Sequence, residues 1–172
     1  GRGTEIWGST TINLNQGFAL QVYGGGESGY VGKGTGSIGS KTYAHDSKYS
    51  TYINLSDKTL NTTITADTPG VAETDYLYGG GFEGVVCGNT YVYLGNGRVY
   101  DAIGDACNAD ILGHTEVYIG KNADGDLGFP YVRDGVYGGN DFGGEIKGTG
   151  DHTGVITAER MKMVYDGDNT DE

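Results

Sequence analysis

The sequence predicts an all-β protein folded as a single-stranded β-solenoid, or parallel β-helix, with coils of roughly 25 residues. Three observations support this prediction. The 172 residues include 34 glycines and only 2 prolines, without the triplet period of collagen, and this composition suits many tight turns. The apolar residues fall in short alternating runs separated by Gly, Asn or Asp, which indicates strands joined by turns. Finally, two motifs recur along the chain, as repeat architectures require.

The first motif is an apolar residue followed by Tyr, Gly, Gly and then Gly or Asn. It starts at Val22, at Leu77 and at Val136. A sharp corner between strands needs residues that can take a positive φ, and glycine does so without the steric penalty of a Cβ atom. We therefore interpret glycine clusters such as residues 79–81 as corners of a scaffold. A phosphate-binding loop would need a Lys-Ser or Lys-Thr pair before a helix, and none follows.

The second motif is a strand. The segment GNTYVYLG starts at Gly88, GHTEVYIG starts at Gly113, and GSTTINLN at Gly8 is a third copy. Because alternate side chains of a strand face opposite sides, Val92 and Leu94 share one face, and Tyr91 and Tyr93 share the other. Coils stacked about 4.8 Å apart would place like residues over like and bury a continuous apolar row.

The alternative fold is an antiparallel β-sandwich or jelly roll, for which Asn96-Gly97 is one good hairpin turn. The predicted β-solenoid domain spans residues 1–164. It includes a less regular insertion, or variant coils, at 40–76, where no Tyr-Gly-Gly corner occurs. Residues 165–172 read YDGDNTDE and are predicted to form an acidic tail.

Charge and cysteine content limit the partners and the chemistry. The chain has 23 acidic and 11 basic residues and a formal net charge of −12. Nucleic acids and anionic membranes both attract basic surfaces, so neither is an expected partner. No stretch approaches the roughly 18 apolar residues of a membrane span, so no membrane insertion is expected. Cys87 and Cys107 can be small packing residues or one disulfide, and the sequence leaves both alternatives open.

A segment that breaks the repeat is the candidate catalytic region. YDAIGDACNAD stands where another coil would have Tyr-Gly-Gly-Gly, and it concentrates Asp101, Asp105 and Asp110. Glycoside hydrolysis uses two carboxylates in different environments. If the protein is an enzyme, these three residues are the candidate catalytic groups.

Tyrosines supply the candidate binding surface. Tyr91, Tyr93 and Tyr118 are expected to point outward and to form a ladder across adjacent coils. A tyrosine offers an apolar ring and a hydroxyl, which suits contact with a glycan or a protein. The alternative is that these rings only stack across strands and stabilise the sheet.

Calcium is the one cofactor that the sequence indicates; otherwise none is expected. Asn122, Asp124 and Asp126 alternate around a glycine, as at the start of a calcium loop. The twelfth position of an EF-hand loop starting at Asn122 would be Arg133, so the complete motif is absent.

The interleaved motifs GNTYVYLG and YGGGFEGVV resemble the Gly-rich β-solenoid repeats of large bacterial cell-surface, adhesin-like proteins. The resemblance covers residues 8–38 and 77–156. It implies an extracellular structural or adhesive module of a bacterial surface or secreted protein. Its expected partner is a host or microbial glycan or protein, bound through flat Tyr- and Asp-rich faces, or copies of the module itself. We expect no enzymatic activity; the alternative is a β-helix carbohydrate-active enzyme, a polysaccharide hydrolase or lyase.

Overall fold

The computed structural model describes residues 4–37, 40–56, 64–148 and 154–158. Within these ranges the chain is all-β, which confirms the predicted class; it holds no α-helix and a single 3₁₀ turn, Ser47–Tyr49. The predicted tail, residues 165–172, lies outside the described residues. The strands are β1 (Glu5–Ile6), β2 (Thr10–Leu14), β3 (Gly17–Tyr23), β4 (Tyr30–Val31), β5 (Thr51–Ser56), β6 (Ala72–Tyr78), β7 (Thr90–Asn96), β8 (Arg98–Ile103), β9 (Thr115–Ile119), β10 (Tyr131–Tyr137) and β11 (Val155–Ala158).

The strands form several parallel sheets, so the predicted single-stranded β-solenoid is wrong. A five-stranded sheet has the order β11-β9-β7-β5-β2, a four-stranded sheet has the order β10-β8-β6-β3, and β1 pairs with β4. The alternative, an antiparallel sandwich or jelly roll, is not supported either, because every pairing between these strands is parallel.

The path of the chain explains why the repeat misled the prediction. From β5 onward, successive strands alternate between the five-stranded and the four-stranded sheet. We call one passage of the chain through both of these sheets a round. Each round therefore adds one strand to each sheet. The period of the motifs marks a round, and it does not tell how many strands or sheets a round supplies.

The main core lies between the two larger sheets and is built from rows of like residues. Ile53, Val92 and Val117 occupy one register row of the five-stranded sheet, and each is at most 1% exposed. They pack in one cluster with Leu77 and Val99 of the four-stranded sheet. Complete burial of such a side chain stabilises the fold by about 1.5–3 kcal/mol, so the rows hold the sheets face to face.

A row of threonines connects the five-stranded sheet to the glycine corners. In each round the Thr hydroxyl donates a hydrogen bond to the carbonyl of the first corner glycine; for Thr51 and Gly79 the distance is 2.6 Å. A Cβ atom on Gly79 would lie 2.2 Å from the carbonyl oxygen of Gly104 in the next round. Gly79 therefore stacks too closely on the next round to carry a side chain. The four donor–acceptor pairs are Thr10 with Gly24, Thr51 with Gly79, Thr90 with Gly104, and Thr115 with Gly138.

The less regular region, residues 40–76, also contributes to the sheets. It contains the 3₁₀ turn and β5, and β5 lies between β2 and β7. Residues 57–63 lie outside the described ranges. The division of residues 1–164 into regular coils and an insertion stays a prediction.

Cys87 and Cys107 are free thiols in separate apolar clusters. Cys87 packs with Val31 and Tyr49, whereas Cys107 packs with Tyr78. Burial raises the pKa of Cys87 to about 11 and also raises the pKa of Cys107. Both thiols are therefore protonated at neutral pH and serve as packing residues.

Candidate functional site

The outer face of the five-stranded sheet carries the tyrosines predicted from the sequence. The rings of Tyr93 and Tyr118 stack with centroids 4.9 Å apart and planes 6° from parallel. Tyr52 and Tyr91 form a second stack at 5.0 Å. A stacked ring uses one of its flat faces on its neighbour. Each pair therefore presents ring edges and hydroxyl groups outward, along with only the end faces of the stack.

The polar ends of these tyrosines also have partners within the sheet. The hydroxyl of Tyr118 donates to Glu116, whose carboxylate also contacts His114 Nε2 at 2.9 Å. The amide of Asn89 donates to the Tyr91 hydroxyl at 3.0 Å. The structure gives the tyrosines the cross-strand stacking role. The binding role of Tyr91, Tyr93 and Tyr118 stays a prediction.

Of the three candidate catalytic aspartates, Asp105 is fully buried. Its backbone carbonyl accepts from the amide of Gly80 at 3.0 Å, so Asp105 occupies in its round the corner position that Gly80 holds in the one before. The side-chain Oδ1 accepts from the amide of Ala106 at 2.6 Å, while Oδ2 has no partner among the described residues. Burial raises the pKa of this carboxyl to about 7.

The other two candidates lie in different surroundings. Asp101 is on β8, partly exposed, and its Oδ1 accepts from the amide of Gly135 at 3.0 Å. Burial raises its pKa, and the negative charge of Asp134 adds to that effect. Asp110 forms an ion pair with Lys147 beyond the corner. The charge of Asp110 is near enough to Asp105 to add to its raised pKa, but Asp105 is buried and is not on an open face. The catalytic role of the three aspartates stays a prediction.

The candidate calcium residues form a tight turn. The side-chain oxygen of Asn122 accepts from the amides of Asp124 at 3.0 Å and Asp126 at 2.8 Å, and its amide group donates to Asp126. Gly125 takes a φ of +89° inside this turn. Asn122 is buried, and backbone amides already occupy its oxygen, which explains the alternating Asn and Asp without a metal. Calcium binding at these three residues stays a prediction.

No larger metal-ligand cluster is visible in the part of the chain that the structure describes. No group of three or more His, Cys, Asp or Glu side chains is placed there to hold a metal ion. The same residues include no helix long and apolar enough to cross a membrane.

The outer face of the four-stranded sheet contains a groove of about 250 Å³ that the motifs did not indicate. We name it the sheet groove. It lies beside the chain segment that leads into β6 and crosses strands β6, β8 and β10. The lining side chains that carry its chemistry are Glu73, Asp75, Arg98, Tyr100, Tyr131 and Arg133.

One arginine of the sheet groove is held firmly in place. The Arg98 guanidinium donates to Glu73 Oε2 at 2.8 Å and to the carbonyls of Thr65 at 3.0 Å and Thr68 at 2.8 Å. The side chain of Arg98 is only 16% exposed. Three charge-assisted bonds from a planar group fix both the arginine and the carboxylate that it contacts.

The second arginine lies on an aromatic ring. The Arg133 guanidinium carbon is 5.2 Å from the centroid of Tyr100, in cation–π contact, and the Arg133 residue is exposed. The groove thus holds two guanidinium groups and the two carboxylates of Glu73 and Asp75. Its own charges balance, although the chain as a whole carries −12.

An alignment of the strands on the corner glycines could have indicated this groove. Phe18, Glu73 and Arg98 share one register row, and Asp75 and Tyr100 lie two residues further along their strands. Such an alignment shows an outward row whose residue type changes at every strand. The recurring motifs consist of identical residues at equivalent positions, so they do not reveal a row whose residues differ from strand to strand.

Comparisons with protein-family models, with curated proteins and with solved structures find no match to this chain. The site must therefore be interpreted from its own geometry.

Proposed function

We propose that this chain is a non-catalytic extracellular module of a bacterial surface or secreted protein, and that it binds a glycan through the sheet groove. One observation carries the proposal: one groove on the outer sheet face is lined by two guanidinium groups, one of them over the ring of Tyr100, and by two carboxylates.

The chemistry of the groove matches sugar hydroxyls. Guanidinium groups only donate hydrogen bonds and carboxylates only accept them, whereas a hydroxyl does both. Arg98 is already fixed by Glu73 and two backbone carbonyls, so less conformational freedom is lost when a ligand binds. The balanced charge of the groove favours a neutral glycan over a strongly charged one.

The extracellular location and the adhesive role are supported by the Gly-rich repeats alone, through their resemblance to bacterial surface proteins. A hydrolase or lyase is the less favoured function, because the side chain of Asp105 is buried and that of Asp110 is paired with Lys147, so neither carboxyl group is open to a glycan. The alternating sheets supply the rigid face on which the groove is mounted.

The test is isothermal titration calorimetry of the full chain with a panel of neutral oligosaccharides. We expect at least one to bind, and the double variant Tyr100→Ala/Arg133→Ala to weaken that binding at least about tenfold, since aromatic and arginine contacts dominate binding sites. Tyr52→Ala, on the five-stranded sheet, is the matched control and is expected to keep the affinity. Thermal unfolding of each variant checks the fold.

Three results would contradict the proposal. The first is no binding of any member of the panel, and the second is binding that the double variant leaves unchanged. The third is the appearance of new reducing ends during incubation, because that would make the protein a hydrolase.

A further inference from the structure

The only tryptophan in the sequence, Trp7, is 65% exposed, yet it is held in a fixed position. Its indole Nε1 donates to Glu5 Oε2 at 2.8 Å. The Glu5 carboxylate also accepts from the hydroxyl of Tyr43 at 2.8 Å and from the amide of Gly34 at 3.1 Å, and it pairs with Lys41 at 2.8 Å. An anchored carboxylate thus orients an indole ring that remains largely open to solvent.

A second cleft is connected to Trp7 through Lys33. It has a volume of about 350 Å³, and we name it the basic cleft. Lys33 belongs to its lining and also lies over the indole, with Nζ 4.5 Å from the ring centroid of Trp7. The lining side chains with polar or charged groups are Lys33, Thr35, Thr42, His45, Asp46 and Lys48.

The charge of the basic cleft is opposite to that of the chain. Its lining includes two lysines and one carboxylate, and that carboxylate, Asp46, is already paired with Lys48 at 2.5 Å. Among the described residues, Lys33 forms no ion pair, and its ammonium group contacts the ring of Trp7. At 0.15 M salt, charges more than about 8 Å away are largely screened, so the local excess of lysine decides which ligand is attracted.

We propose that Trp7 and the basic cleft form a second binding site, for an acidic sugar unit that carries a carboxylate or a sulfate. The exposed indole face fits the apolar face of a sugar ring. The ammonium group of Lys33 lies over one face of the indole, so the sugar would stack on the other face and its acidic substituent would reach Lys33 at the edge of the ring. The hydroxyl of Thr42 can contact those of the sugar, and the hydroxyl of Thr35, which donates to the carbonyl of Thr42 at 3.4 Å, can still accept a hydrogen bond from one. This site shares no residue with the sheet groove and does not depend on it.

The experiment uses the fluorescence of Trp7, which reports on this site alone because the chain has no other tryptophan. The full chain is titrated at 0.15 M salt with polygalacturonate, dextran sulfate and uncharged dextran. We expect one or both acidic polymers to shift or quench the emission, and dextran to leave it unchanged. The carboxylated and sulfated polymers distinguish the two acidic groups.

Two variants show which site causes the change in Trp7 emission. Lys33→Ala keeps the fluorophore and is expected to weaken the binding of the acidic polymer at least about fivefold. Tyr100→Ala/Arg133→Ala, in the sheet groove, is the matched control and is expected to leave the titration unchanged. The proposal is overturned if neither acidic polymer changes the emission, if dextran acts equally, or if Lys33→Ala has no effect. A response to a phosphoserine peptide without one to either polymer also overturns it.

Discussion

The rows of residues inside the molecule and the rows on its outer face follow different rules. Inside, position after position repeats: Thr51, Thr90 and Thr115 begin successive strands of the five-stranded sheet in register. On the outer face of the four-stranded sheet, one register row changes from Glu73 to Arg98 between neighbouring strands. The repeated rows hold the rounds together, and the rows that change carry charged and aromatic chemistry.

One interior position departs from this rule. The corner row contains Gly25 and Gly80 and then Asp105, linked by hydrogen bonds from each amide to the carbonyl of the next round. The departure puts a carboxyl group where other rounds have no side chain. An interior row can therefore change, but the change buries a carboxyl group, whereas the outer rows change at the surface of the sheet.

The largest expected effect comes from breaking a repeated corner. In Gly79→Ala the new Cβ would lie 2.2 Å from Gly104 O and 3.0 Å from the Thr90 Cβ, so the stacked backbones must separate. We expect the free energy of unfolding in urea to fall by about 3 kcal/mol or more. Gly139→Ala is the matched control, because no heavy atom lies within 4 Å of its Cβ. Equal losses in the two variants would show that close stacking is not the reason for the corner glycines.

The next effect tests the interior departure. Because burial raises the pKa of Asp105 to about 7, above its usual value near 4, protonation favours the folded state. This stabilisation is complete below about pH 4 and is lost as the pH rises to about 7. Between pH 5 and pH 8 we expect the free energy of unfolding to fall by roughly 2–3 kcal/mol from this group.

Asp105→Asn removes the titration, so the unfolding curves at pH 5 and pH 8 should differ less in the variant than in the wild type. Asp67→Asn, in an exposed turn, is the matched control and should keep the wild-type difference. A pH dependence that Asp105→Asn leaves intact would assign the effect to another group.

The smallest of the three effects concerns the threonine row. Thr90→Val keeps the side-chain shape but removes the hydroxyl that donates to the corner carbonyl of Gly104. A buried carbonyl then loses a partner, and we expect a loss of about 1–2 kcal/mol in urea unfolding. Thr11→Val, one residue along from the row on the exposed face of β2, should change stability by less than about 0.5 kcal/mol. A similar small change at Thr90 would mean that the row acts through packing alone.

The sequence was sufficient to predict strands, inward faces and corners. Alternation correctly placed Val92 and Leu94 in the core, and the repeated glycines predicted the corners. The number of sheets was not predictable, because a period along the chain does not reveal which segments hydrogen-bond side by side. That choice depends on where each round bends, and the bends lie between the motifs.

The candidate sites were less accessible to sequence reasoning. Arg98 and Arg133 belong to no motif, and only the pairing of β8 with β6 and β10 brings them to one groove. Trp7 gave no signal either, because Tyr43 and Lys41, which fix the Glu5 carboxylate that orients it, come from a distant part of the chain. Spatial proximity across strands, which no local pattern contains, defines both places.

The connections between the two larger sheets differ greatly in length although they occupy equivalent places in successive rounds. Strand β8 follows β7 after the single residue Gly97, whereas residues 57–71 separate β5 from β6. Strand pairing continues through both rounds. Each doubling of the length of a loop raises the entropic free-energy cost of closing it by only about 0.6 kcal/mol. The connections from the five-stranded to the four-stranded sheet can therefore accept new segments at little cost in stability. They are natural places to graft a foreign peptide epitope for display, and places where related chains can diversify while keeping the same frame.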